Sequence, residues 1–377
     1  MFENIKLIDC HIHYSLPVDP QEIIDVMQIT NTDWANLVVV PHRQRISSIP
    51  DALMVKNMFP KKISVFGCLD VTQYFIHPKN LGKHFVKYTK RMIACGCDGI
   101  KMIEGKPQMR NTIPIPDFDN QVWDPFWEYA ETSGLPILWH VNDPEEFWDL
   151  QRIPSWAKER GWFYDETVIN NEVQYKQIEN VLAKYPHLKI VFAHFFFMSA
   201  QLPRLSKLLD QYPSVLIDLT PGIEMYINLS KHQSESKAFF EKYQDRIMYG
   251  TDIGARSILS DSVSHIDQNE SIRRSEIVKM FISDEKEFLI HADGNFLIGT
   301  DDFLLRGLGL EAEIQKKIFV DNFLRFIDGK INSVTPKKVI KECHRIKMMI
   351  RIMSMFDKEI IADFSCLKQV EGYFKNQ

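Results

Sequence analysis

Short apolar runs alternate along the chain with segments in which apolar residues recur every three or four positions, and the alternation repeats eight times. The runs fall at 5–10, 36–40, 63–69, 99–103, 136–139, 190–193, 215–219 and 247–249. Among the intervening segments, 21–29, 126–132, 174–183 and 202–210 have the spacing of amphipathic helices. Strands too apolar to face water on either side belong in a parallel sheet covered by helices. Eight such units predict an α/β chain folded as a closed (β/α)8 TIM barrel, with an open doubly wound sheet as the competing arrangement.

Three stretches exceed a minimal barrel over residues 1–330. The first, near 142–172, carries Trp148, Trp156 and Trp162, either as a lid or pocket wall or as a satellite apolar cluster. The second, near 254–290, is polar and charged and reads as a surface insertion, with His291 beyond it as a surface or packing histidine. In the third, 331–377, the spacing of Val339, Cys343, Ile346, Ile350 and Met353 predicts a helical extension that docks on the barrel or on a partner subunit, so a homo-oligomer is an open expectation.

The residues that end the strands change the picture from fold to chemistry. His11 and His13 leave the first run, His140 the fifth and His194 the sixth, and Thr251-Asp252 follows the eighth. With 12 histidines in 377 residues, repeated placement at one end of different strands is not expected by chance. Alone, the His11/His13 pair could be a polar strand end satisfied by neighbours. Together, imidazoles and a carboxylate around the carboxyl end of a barrel describe a catalytic metal site with a position left for water. Closed cysteine-rich ligation is absent, and the six cysteines form no regular framework.

Cations gather past several strand ends: His42, Arg43 and Arg45, then Lys101, Lys106 and Arg110, then Arg256. Arg43, Lys101 and Arg256 are the expected binding residues for a small anionic substrate, because guanidinium groups grip carboxylates in two places. A net charge of -5 offers no footprint for nucleic acid or an acidic membrane. No apolar run approaches a membrane span, and the expected location is the cytoplasm.

In Asp9-Cys-His-Ile-His, Gly99-Ile-Lys-Met, Leu135-Pro-Ile-Leu-Trp-His, Val191-Phe-Ala-His, Tyr249-Gly-Thr-Asp and the late Asp321-Asn-Phe-Leu-Arg, the chain resembles the amidohydrolase superfamily. Within it, the resemblance is to the amidohydrolase-related group of hydrolases, lactonases and non-oxidative decarboxylases. The resemblance implies that His11, His13, His140 and Asp252 hold one divalent ion, zinc or else manganese, and that His194 polarises the substrate or holds a second ion. Lys101 stands where binuclear relatives carry a carboxylated lysine. The expected reaction is hydrolysis of an amide, ester or lactone by a metal-activated water, with Asp252 taking the proton and His194 stabilising the oxyanion. The alternative is a metal-dependent decarboxylase of a small aromatic or unsaturated acid. A non-enzymatic metal-binding barrel is the third reading.

Overall fold

The computed structural model describes residues 6–159, 161–255, 265–291 and 302–377. Eight parallel strands pair in chain order: Ile8–His13, Trp34–Val38, Ile63–Cys68, Gly99–Gly105, Ile137–Val141, Ile190–Phe192, Val215–Asp218 and Ile247–Met248. The backbone beyond the eighth strand returns to the first. Cys10 N–H donates to Tyr249 (3.1 Å), Asp252 N–H to His11 (2.9 Å) and His13 N–H to Ile253 (2.8 Å). These bonds close the sheet into a barrel, the (β/α)8 architecture that the apolar rhythm predicts.

Which face each side chain takes depends on a bulge in the first strand. Asp9 pairs with Ala35 but Ile12 with Leu37, so the first strand spends one more residue over this stretch than its neighbour. Ile8 and Cys10 join Trp34, Phe66, Leu138, Val191 and Met248 in the barrel interior, which Phe323 and Phe326 close from below. Ile12 packs outward with the helices. The extra residue resets the alternation, so His11 and His13 point into the barrel as Ile8 and Cys10 do. The predicted strand ended before the histidines, whereas the paired strand includes both.

The helix Gln268–Ser283 overturns the reading of 254–290 as a surface insertion. It buries Ile277, Val278, Phe281 and Ile282 in the core and, on the same helix, the whole of Arg274. The tail helices Pro336–Phe356 and Ser365–Lys375 dock on the chain's own barrel through Val339, Cys343, Ile346, Leu367, Val370 and Phe374. Among the described residues no helix is long and apolar enough to cross a membrane.

Candidate active site

His11, His13 and Asp252 converge at the carboxyl end of the barrel, their ligand atoms all within 4.8 Å of one another. One oxygen of Asp252 lies 3.3 Å from His11 Nε2 and 3.1 Å from His13 Nε2. Asp252 reaches this point from a left-handed backbone, φ 58°. His140 and His194 complete the ring of imidazoles. Their ring centres are 4.9 Å apart, and His194 is 5.8 Å from His11. Gly105 lets the His140 strand close in, because a Cβ there would collide with the His140 carbonyl oxygen.

The outer partners of three imidazoles settle where their protons sit. His11 Nδ1 lies 2.9 Å from the Asp218 carboxylate, His140 Nε2 lies 2.9 Å from the Asn142 carbonyl, and His194 Nδ1 lies 3.3 Å from the Thr220 carbonyl. Carbonyls and carboxylates only accept, so each of these nitrogens carries the proton. The opposite nitrogens, His11 Nε2, His140 Nδ1 and His194 Nε2, are left as lone pairs. Among the described residues, the group close enough to hold a divalent ion is His11, His13 and Asp252, with His140, an expected ligand, and His194 beside it but outside it.

Burial enforces neutrality. It pushes His11 down to about 4, with the Lys101 ammonium adding to the effect, and His194 down to about 3. In metal-free protein both rings are therefore expected to show neutral-form imidazole nitrogen shifts at pH 5.5 by NMR. A titration midpoint near the ordinary value of about 6.5 would contradict this. Burial alone would raise Asp252, but the hydrogen bond from His13 and the surrounding imidazoles hold it well below the usual carboxylate range.

Asp218, at the end of the seventh strand, is the organising residue that the sequence reading missed. One oxygen accepts His11 Nδ1–H, while the other accepts the His194 backbone N–H (2.8 Å), the Thr220 N–H (3.1 Å) and the Thr220 hydroxyl (2.5 Å). It is fully buried, and although burial would raise it, His11 and Thr220 help bring it down to about 2. Asp218→Asn keeps the shape but replaces one accepting oxygen with a donor. We expect metal affinity to fall by about 10–100-fold, read by competition with a chromophoric chelator. Unchanged affinity would reduce Asp218 to a packing residue.

The remaining expected residues are scattered. Lys101 is buried inside the barrel, its Nζ 3.0 Å from His11 Nε2, and burial brings it down to about 8. Arg43 is a correction. It is half exposed, and Asp357 (3.3 Å) and Glu359 of the tail hold its guanidinium, because the loop after the second strand turns toward the tail. Arg256 lies outside the described residues. Lys106 is taken up by Asp143 at 2.7 Å, Arg110 by Asp117 at 2.7 Å and Arg45 by Asp51. Arg274, unforeseen, brings its guanidinium to 3.6 Å from Asp252 while Glu270 holds it at 2.7 Å. In the 142–172 stretch Phe147, Ile153, Ala157, Trp162 and Tyr164 form a satellite apolar cluster, pinned by Tyr164 to Asp143 (2.7 Å) next to His140.

The backbone from His194 to Phe197 is left-handed throughout, with φ of 55°, 57°, 57° and 52°. Outside glycine each such residue costs about 1–2 kcal/mol, so the turn persists only where its surroundings hold it.

A closed eight-stranded barrel with histidines and an aspartate at its carboxyl end defines a TIM-barrel α/β protein with a candidate metal site where such barrels carry their active sites. The chain belongs to the amidohydrolase family, whose sequence model matches residues 84–328, about two thirds of its length. The match begins after the first strand, so the structure is what joins His11 and His13 to the matched region. No curated protein matches the chain. Among solved structures it is similar to an uncharacterized TIM-barrel protein from Bordetella bronchiseptica (14% identity, 82% of this chain and 83% of that one, TM-score 0.51). It is also similar to a probable 2-pyrone-4,6-dicarboxylic acid hydrolase from Acinetobacter baumannii with citric acid bound (13%, 86% and 100%, TM-score 0.50). A third, 2,6-dihydroxybenzoate decarboxylase complexed with 2,6-dihydroxybenzoate, has 12% identity over 86% and 99% of the two chains and a TM-score of 0.50. At these identities the likeness is one of fold.

Proposed function

We propose that the protein is a metal-dependent hydrolase of an amide, ester or lactone bond in a small substrate. The observation that supports this is the cluster of His11, His13 and Asp252, in which one Asp252 oxygen is shared by both imidazoles. His11, His13, His140 and Asp252 would hold one divalent ion, zinc or manganese. Such an ion, when bound, acidifies its water and polarises a carbonyl.

The chain's own residues do the rest. Asp252, ionised, accepts the proton of the attacking water. His194 Nε2 accepts a hydrogen bond and so orients that water rather than the oxyanion. Asp218 fixes the His11 tautomer. With the His11 lone pair committed to an ion, the Lys101 ammonium is left to meet an anionic group of the substrate. The bound citric acid and dihydroxybenzoate of the two relatives are in keeping with an anionic ligand.

Turnover in 18O-labelled water, on protein of known metal content, tests the reading with a panel of carboxylated lactones, amides and hydroxybenzoates. Label in the product carboxylate supports hydrolysis. CO2 release without label replaces it with decarboxylation, the activity named for one structural relative.

A further inference from the structure

The tail carries an apolar surface that the barrel does not use. Helix Pro336–Phe356 turns Val339, Cys343, Ile346 and Ile350 inward. Its opposite face, read at steps of three and four residues, runs Lys337, Lys341, His344, Met348, Ile352 and Met355, all exposed. The first half of that face is basic and the second half apolar. Arg351, beside it, lies over the Phe364 ring at 5.1 Å and so leaves the strip apolar. The apolar half continues past the helix end: Met355 is 79% exposed, Phe356 85% and Ile361 70%. Single apolar residues on a surface need no explanation, but a contiguous run of them marks a contact surface. The matched family region ends at residue 328, so this face belongs to the chain's own tail.

Charge says what covers it. Beyond the helix the sign reverses, with Asp357, Glu359 and Asp363 set around the exposed Phe356 and Ile361. Glu359 stays 72% exposed although Arg43 reaches it. The order along the face is therefore base, apolar, acid. An anionic membrane calls for cations around the most exposed apolar side chains, and here acids stand there. A second copy running antiparallel across a two-fold axis presents the order this face needs. With the axis level with Ile350, Met348 of one copy faces Ile352 of the other, and Lys341 of one approaches Glu359 of the other. The two-fold makes each of these contacts twice.

We propose that the exposed face of helix Pro336–Phe356, with the acidic segment that follows it, is the interface of an antiparallel two-fold dimer of this chain. The proposal is independent of the reaction assigned to the active site, because the tail's own charges and apolar residues carry it.

Sedimentation velocity of the full chain across the micromolar range tests it. A monomer–dimer equilibrium is expected. Phe356→Ser should weaken it by about 30-fold or more, the loss that follows truncation of an aromatic anchor. Lys341→Glu alone and Glu359→Lys alone should each weaken it by about 2–30-fold, since the axis repeats an exposed ion pair twice. The double variant should dimerise as wild type does, which a general loss of stability would not produce. Circular dichroism and melting temperature establish that each variant is folded. A chain that stays monomeric throughout, a dimer unmoved by Phe356→Ser, or a double variant as weak as either single one overturns the proposal. A monomer that co-sediments with phosphatidylserine vesicles, and ceases to in Phe356→Ser, replaces the second copy with a membrane surface.

Discussion

Asp252→Asn is expected to lower kcat by about two to four powers of ten, because the amide matches the carboxylate in size but cannot take the proton from the attacking water. The substitution leaves the lone pairs of His11 and His140 in place, so part of the bound metal should remain. Near-wild-type kcat at matched metal occupancy would remove Asp252 as the base. A loss that is repaired fully by added metal would assign it to holding the ion alone. The neighbouring Arg274 guanidinium, 3.6 Å from the carboxylate, gives a built-in comparison. It loses this more distant charged partner in the variant and keeps Glu270 at 2.7 Å, so thermal stability must be measured alongside the rate.

His11→Ala should abolish stoichiometric metal and, with it, turnover. His11 sits at the crossing of three contacts, to Asp218, Asp252 and Lys101. Its removal takes away an inward lone pair and leaves the Asp218 carboxylate short of one donor in a dry interior. The cost in stability should be about 1–3 kcal/mol. The apolar layer of Ile8, Trp34, Phe66 and Leu138 beneath is untouched, so the barrel still folds. Elemental analysis after supplying zinc or manganese reads the outcome. Wild-type metal content in the variant would overturn the ligand assignment, and an unfolded variant would show that the layer below is weaker than its packing indicates.

The eight apolar runs were legible because a barrel strand is buried on both faces and leaves an uninterrupted signal. The polar residue that closes each run was legible for the same reason, since His140, His194 and Asp252 stand out against it. Asp218 did not stand out. A single aspartate among Leu216, Ile217 and Leu219 carries no spacing partner, and only the folded chain shows four donors converging on it. Arg274 was hidden by its own helix, whose polar residues read as a solvated surface while its apolar ones face the core. Arg43 was misplaced for a different reason. Sequence distance from a strand end does not say which way the loop turns, and here residues more than 300 positions later claim the side chain.

The bulge between Asp9 and Ile12 makes the site a matter of parity. A regular strand with the same letters would pair as well and bury as much, yet it would turn both imidazoles out among the helices and leave a sealed, inert cylinder. The scaffold and the chemistry of this protein are therefore separable by one step of strand register, without any change in the residues that perform it.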